Sequence, residues 1–198
     1  MDLETLKRFC GDAESEKIGS PWSEGDFSFA TNGFTLVRVK RLPEVPERTN
    51  IPNYKRVMEL SPEPTDGWQA VPSLEDFGIK PCPRCKGQVR EPRACTECRG
   101  EGEVTWDNKF HTYEATCQSC GGDGKTNLCD RCNNHGYILP EEIPIGEHFF
   151  TPDYVLDFLK IPGLEVSLPA APETACWFRW DGGHALIMPR KSAVQASA

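Results

Sequence analysis

The apolar pattern of the first forty residues predicts a short helix and then a β-hairpin. Apolar side chains recur at helical spacing in residues 2–10, whereas residues 12–25 have the composition of a loop. Residues 27–40 hold two β-rich runs on either side of Asn32-Gly33, a strong signal for a tight hairpin because both residues tolerate positive φ. The second run is apolar on both faces, so we expect a largely buried strand.

The middle of the chain, residues 41–79, is rich in proline and predicts an irregular connection. Proline removes a backbone donor and fixes φ, so we expect an extended path with little regular structure. Scattered apolar residues in this stretch indicate that it packs against the rest of the chain.

The pattern of residues 138–198 predicts a strand, a helix and three further strands. Residues 145–150 form the first strand, and Thr151 with Pro152 suits a helix N-cap and first helical position. Pro162-Gly163 ends that helix. The three later strands are expected at residues 164–168, 175–180 and 185–188.

Together these elements predict the α+β fold class and three segments. Residues 1–79 and 138–198 are the two flanks, and neither flank has enough apolar surface to fold well by itself. We therefore expect both flanks to form one helix-plus-antiparallel-sheet domain. Residues 80–137 are then an insertion, and they hold most of the cysteines.

Composition narrows the class of protein. The chain has 198 residues, a net charge of −8, no basic-apolar leader pattern and no run near the roughly 18 apolar residues of a membrane span. We expect a soluble, cytoplasmic protein. Its ten cysteines are then better explained as metal ligands than as disulfides.

Eight of the cysteines form four Cys-x-x-Cys knuckles with a common C-x-x-C-x-G-x-G pattern. Two cysteines three positions apart in a tight turn direct both sulfurs to one metal, and the glycines allow backbone N–H groups to face the thiolates. Two knuckles make one closed tetrahedral site, which is structural rather than catalytic. Four knuckles predict two zinc ions per chain, with zinc binding coupled to folding. The knuckles are CPRCKGQV (82–89), CTECRGEG (95–102), CQSCGGDG (117–124) and CDRCNNHG (129–136).

This array resembles the cysteine-rich zinc-binding domain of DnaJ-type chaperones, over residues 80–137. The stretch between the second and third knuckles is similar to the long β-hairpin of that family. The resemblance implies that the first knuckle shares a metal with the fourth, and the second with the third. One zinc ion would take Cys82, Cys85, Cys129 and Cys132, and the other Cys95, Cys98, Cys117 and Cys120.

The sequence departs from the DnaJ pattern in several places. Val89 and Asn134 replace glycines of the first and fourth knuckles, although asparagine tolerates left-handed geometry. The His-Pro-Asp motif by which a J domain drives its ATPase partner does not occur in the sequence. The flanks also do not resemble the peptide-binding β-domains of that family.

The flanks show a second, less specific resemblance, to a domain of the bacterial sliding clamp. Residues 29–39 are similar to a clamp hairpin, and residues 152–160 followed by three strands are similar to the final unit of a clamp. This resemblance implies a clamp-like helix-plus-sheet domain and a DNA-associated accessory role. The two resemblances together would suit a protein of a bacterium or a bacterial virus. Fold by itself does not carry function.

Other reactive residues have simpler explanations than catalysis. Cys10 and Cys176 stand apart and suit a hydrophobic core. The histidines His111, His148 and His184 are expected at the surface or in turns, and His135 is a less suitable ligand than the complete cysteine set. The acidic residues Glu141, Glu142, Asp153 and Asp157 suit a solvated helix face and linker.

The hairpin aromatics Trp106, Phe110 and Tyr113 leave two explanations open. They pack across the hairpin to stabilise it, or they bind a partner, which is a protein or stacked nucleic-acid bases.

The leading functional prediction is a non-enzymatic zinc-binding protein whose zinc module mediates protein–protein interaction. The alternatives are chaperone-like binding of unfolded polypeptide, a DNA-associated accessory factor and a thiol–disulfide enzyme. Net charge disfavours nonspecific nucleic-acid binding, although Lys80, Arg84, Lys86, Arg90 and Arg93 form a local basic strip.

Overall fold

A computed structural model describes residues 1–88, 93–126, 129 and 131–191. The chain divides into two compact units. The flank unit is Met1–Gly78 with Pro140–Ala198, and the cysteine unit is Ile79–Leu139. Within the described ranges, no helix combines the length and the apolar character needed to cross a membrane.

The described residues contain far more strand than helix, which confirms the α+β class. The helical elements are α1 (Leu3–Lys7), α2 (Tyr54–Leu60), α3 (Pro152–Val155) and a 3-10 turn (Phe158–Lys160). The strands of the described part are β1 (Trp22–Glu24), β2 (Phe27–Thr31), β3 (Thr35–Lys40), β4 (Trp68–Ala70), β5 (Lys80–Pro81), β6 (Arg93–Ala94), β7 (Glu103–Asp107), β8 (Thr112–Thr116), β9 (Lys125–Thr126), β10 (Tyr137–Ile138), β11 (Ile143–Ile145), β12 (His148–Phe150), β13 (Glu165–Ser167), β14 (Cys176–Trp180) and β15 (Gly183–Ile187).

The flank unit is built on one antiparallel sheet, whose seven described strands lie in the order β1-β2-β3-β15-β14-β13-β4. Strand β3 of the first flank pairs with β15 of the second, and Val37 lies opposite Ala185. At the far edge β4 pairs with β13, with Gln69 opposite Val166. The two flanks therefore complete one sheet between them.

The predicted hairpin on Asn32-Gly33 is present as β2 and β3, with Thr31 opposite Leu36. Only Gly33 of the turn has positive φ, at +92°. Asn32 contributes differently, because its side-chain oxygen accepts hydrogen bonds from the backbone N–H groups of Phe34 and Thr35 at 2.9 and 2.8 Å. The turn is thus fixed by an asparagine side chain and one glycine.

Both faces of the sheet are covered, which is why β3 has buried residues in succession. On one face lies a cluster of buried side chains that α2 completes with Tyr54 and Met58. On the other face the ring centroid of Phe158 lies 6.2 Å from that of Phe178 and 4.4 Å from that of Phe9. The first cluster contains Trp22, Phe29, Leu36, Tyr54, Ala175, Trp177 and Leu186.

Four local predictions were wrong. The loop of residues 12–25 contains β1, and the connection of residues 41–79 contains α2 and β4. The expected strand of residues 145–150 is part of a tight hairpin, in which β11 and β12 pair around Gly146 at φ +61°. The predicted C-terminal helix is α-helical only over Pro152–Val155, and a 3-10 turn follows at Phe158–Lys160.

Two histidines are more tightly packed than the sequence predicted. His148 is only 3% exposed and lies on β12. His184, on β15, is paired with the Glu63 carboxylate, which also accepts a 2.8 Å hydrogen bond from Arg38 on β3. Sequence separation concealed this carboxylate partner, which holds the segment after α2 against the sheet.

We expect Leu6→Ala to lower the free energy of unfolding of the flank unit by about 2–5 kcal/mol, because Leu6 is fully buried. Leu60→Ala is the matched control, since Leu60 is also helical but 73% exposed, and its effect should stay within about 0.5 kcal/mol. Urea unfolding followed by tryptophan fluorescence measures both. Equal effects would contradict the proposed packing of α1.

Candidate metal centre

The cysteine unit is a set of short antiparallel pairs that bring the knuckles together two by two. Strand β5, just before the first knuckle, pairs with β10, just after the fourth. Strand β6 before the second knuckle likewise pairs with β9 after the third. The backbone N–H of Cys82 donates to Gly136 at 2.8 Å, and that of Cys95 donates to Gly124 at the same distance.

All eight cysteines of the knuckles lie in two groups, here called the outer and inner clusters. In each cluster the four sulfur atoms lie within 4.8 Å of one another. These are the only groups of potential metal ligands found among the described residues. The outer cluster contains Cys82, Cys85, Cys129 and Cys132, and the inner cluster contains Cys95, Cys98, Cys117 and Cys120.

The sulfur spacing fits a tetrahedral zinc ion. Zinc–sulfur bonds of about 2.3 Å place tetrahedral sulfurs about 3.8 Å apart. The Sγ atoms of Cys82 and Cys129 are 3.8 Å apart, and those of Cys98 and Cys120 are 3.7 Å apart. An all-sulfur, closed donor set of this size suits zinc, and the two clusters correspond to two zinc ions per chain.

Without the charge of a metal ion, the thiols of the clusters differ widely in pKa. Backbone N–H groups of Cys85 and Arg84 face the Cys82 sulfur and lower its pKa to about 7. Burial raises the pKa of Cys85 to about 12 and that of Cys117 to about 11. Four thiolates cannot coexist there without a cation, so the site requires bound metal to hold its charge.

The backbone geometry explains the glycines of the repeat. In every knuckle the two residues after the second cysteine have positive φ, including Lys86 at +53° and Arg99 at +56°. This conformation costs a non-glycine residue roughly 1–2 kcal/mol. It also aims N–H groups at sulfur, as in the 3.2 Å bond from Gly102 to Cys98. Asn134 adopts φ +62°, as its replacement of a glycine predicted, whereas Val89 lies outside the described residues.

Two later glycines are needed for a different reason, which is close backbone approach. A Cβ atom on Gly102 would lie 2.2 Å from the carbonyl oxygen of Gly122. A Cβ atom on Gly124 would meet the Gly100 carbonyl oxygen at the same distance. The second and third knuckles therefore approach each other more closely than any side chain permits.

The long hairpin between these knuckles is formed by β7 and β8, as predicted. Trp106 lies opposite Tyr113, and their rings stack across the strands with centroids 5.6 Å apart. Trp106 nevertheless remains 51% exposed, and Phe110 near the tip is 71% exposed. Both explanations for the aromatics therefore apply in part, since the rings stabilise the hairpin and still face solvent.

The remaining candidates stay outside the clusters. His135 is not among the grouped ligands, and Cys10 and Cys176 lie in the flank unit. Asp157 forms ion pairs with Lys160 at 2.8 Å and with Arg8 at 3.4 Å, so this carboxylate has a structural role. Of the predicted basic strip, Arg90 lies outside the described residues.

This geometry defines the cysteine unit as a zinc module of the type found in DnaJ. No family model matches the chain. The chain is similar to several proteins named "Chaperone protein DnaJ". The one from Helicobacter pylori (strain ATCC 700392 / 26695) is 30% identical over 97 residues, which are 46% of this chain and 26% of that protein.

Two further relatives carry the same name and match a smaller share of the chain. The protein from Paramagnetospirillum magneticum is 37% identical over 77 residues, which cover 33% of this chain and 20% of the relative. The protein from Wolbachia sp. subsp. Brugia malayi (strain TRS) is 36% identical over 61 residues, which are 28% of this chain and 16% of the relative. The chain thus spans only about a quarter or less of the length of these relatives.

We expect Gly102→Ala to reduce bound zinc from two ions per chain towards one, because the new Cβ would clash with the third knuckle. Gly121→Ala is the matched control. Its φ is also positive, at +65°, but nothing lies within 4 Å of the added carbon. Metal analysis of the purified variants measures the ratio, and equal zinc loss in both would contradict the steric explanation.

We also expect the zinc-loaded protein to react slowly with iodoacetamide at pH 8. In that state metal would occupy the knuckle sulfurs, and burial raises the pKa of Cys10 to about 11 and that of Cys176 to about 12. A thiol with a pKa near 11 is only about one-thousandth ionised at pH 8, so its reactivity should keep rising with pH beyond 9. Mass spectrometry locates the labelled residues, and rapid labelling of Cys10 would contradict this.

Proposed function

We propose that the eight clustered cysteines are the zinc ligands and that the zinc module is a non-enzymatic protein-interaction module. Each cluster has four sulfur donors, so the metal keeps no open position for a substrate or for activated water. The metal would then stabilise the fold of the module, and the surface of the module would carry the function. Residues 1–79 and 138–198 would together form one domain, which supports the zinc module of residues 80–137.

The observation that carries this proposal is the two-sided character of the β7-β8 hairpin. Paired residues on one face are apolar, namely Val104 with Ala115 and Trp106 with Tyr113. Paired residues on the opposite face are polar, such as Thr105 with Glu114. A half-exposed aromatic face on a stiff hairpin is typical of a surface that binds another protein.

The stacked rings also favour binding on energetic grounds. Trp106 and Tyr113 already hold each other in place with nearly parallel planes, 12° apart. A partner that packs on them therefore immobilises little further side-chain freedom. The large apolar area of the two rings would provide most of the binding free energy.

Chaperone-like binding of unfolded polypeptide is the form of this function that the relatives favour. They are named chaperones, and the aromatic face would suit apolar side chains that an unfolded chain exposes. The clamp-like architecture of the flanks and a DNA-associated role stay predictions. Both flanks contribute strands to one sheet, which such a domain would require.

We expect the zinc-loaded protein to suppress aggregation of a thermally unfolding model enzyme, measured by light scattering. Trp106→Ser with Tyr113→Ser should weaken suppression by at least about tenfold, because the apolar face is lost. The control is Thr105→Ser with Glu114→Gln, which changes the paired positions on the opposite face and should have little effect.

Zinc content must remain at two ions per chain in both variants for this comparison to hold. Absence of suppression by excess wild-type protein would contradict chaperone-like binding. An equal loss in both variants would contradict the role of the aromatic face.

A further inference from the structure

The charges of the zinc module are strongly segregated between its two halves. The described residues of the outer half, 79–88, 129 and 131–139, carry four exposed basic side chains and no carboxylate. The described inner half, 93–126, has six acidic side chains against Arg93, Arg99, Lys109 and Lys125. The outer basic residues are Lys80, Arg84, Lys86 and Arg131; the inner acidic residues are Glu97, Glu101, Glu103, Asp107, Glu114 and Asp123.

Metal binding preserves this contrast. Four thiolates and one Zn²⁺ ion add two negative charges to each half, which leaves the outer half positive and the inner half more negative. The charged residues outside the described ranges, Arg90, Glu91 and Asp130, together add one negative charge. The outer half therefore keeps a basic surface within an otherwise acidic module.

The knuckle geometry concentrates these basic groups. Arg84 and Arg131 occupy the same position, directly before the second cysteine, in two knuckles whose Cys85 and Cys132 sulfurs are 3.6 Å apart. Lys86 follows the first of these cysteines. Lys80 lies directly opposite Ile138 in the β5-β10 pair, and Ile138 is 38% exposed. Lys80 and Ile138 are therefore a basic and an apolar neighbour across this strand pair.

We propose that this outer surface binds an acidic protein segment that carries an aliphatic side chain among its carboxylates. Arginine forks form bidentate hydrogen bonds with carboxylates, so Arg84 and Arg131 would give the surface its selectivity. Ile138 would contact the apolar side chain. The inference rests on the proposed protein-binding function and adds a second surface, of different chemistry, to the aromatic hairpin.

The extent of the surface favours a protein segment over nucleic acid. A nucleic-acid strand carries a phosphate at every nucleotide, and binding by charge requires a continuous basic path. Here the basic surface ends at the inner half, where acidic residues predominate over basic ones. A short acidic segment fits within the outer half without meeting that repulsion.

The test uses the full zinc-loaded chain and fluorescence anisotropy. The probes are a labelled peptide of alternating glutamate and leucine, the same peptide with glutamine for glutamate, and a single-stranded oligonucleotide of equal charge. Only the glutamate peptide should bind, and added salt should weaken it. Arg84→Gln with Arg131→Gln should reduce its affinity at least about tenfold, whereas Arg93→Gln with Lys125→Gln in the inner half should change it less than about twofold.

Several outcomes would overturn the inference. They are unchanged binding in the outer variant at full zinc content, equal loss in the inner variant, and equal or tighter binding of the oligonucleotide. Failure here is distinguishable from failure of the proposed function, because aggregation suppression depends on Trp106 and Tyr113. If the protein suppresses aggregation but does not bind the peptide, only the acidic-segment surface is wrong. If it binds the peptide but does not suppress aggregation, the proposed role of the aromatic face is wrong.

Discussion

The repulsion among closely packed thiolates, and its removal by a divalent cation, is the constraint on which the zinc module depends. Sulfur atoms 3.6–3.8 Å apart in nearly enclosed surroundings cannot all be ionised without metal. When zinc is bound, the four closely spaced sulfur atoms of a cluster can each form a bond to the same ion. The strands that pair the first knuckle with the fourth, and the second with the third, are only two residues long. So little sheet cannot hold the knuckles together, and the metal must do so.

Much of the backbone geometry of the module serves to bring those sulfurs together. Positive φ after the second cysteine of each knuckle aims N–H groups at the thiolates, and glycine at 102 and 124 lets the backbones of the second and third knuckles approach each other. Because the metal provides the stability, the surface needs few apolar residues for folding. The exposed Trp106 and the segregated charges are therefore available for binding.

The flank unit is held together by a different principle, which is hydrophobic burial on both faces of one sheet. Its strands come from two segments that the whole zinc module separates in sequence, and β3 of the first segment pairs with β15 of the second. Leu36, Leu186 and Trp177 lie side by side only because of that pairing. An insertion at this point disturbs little, since loop-closure entropy grows only slowly with length and zinc folds the inserted segment.

The sequence by itself determined the cysteine repeats, their need for metal and the helical or extended character of several segments, because these depend on spacing and local geometry. The four-residue spacing of Tyr54 and Met58 is also a helical signal, but the surrounding prolines obscured it and α2 was not predicted. Tertiary structure alone decided which edges β1 and β4 would join, that His148 is buried, and that Glu63 meets His184. Local patterns specify a conformation, but a contact between distant segments depends on the pairing register and on the burial of the whole sheet, which no short stretch of sequence encodes.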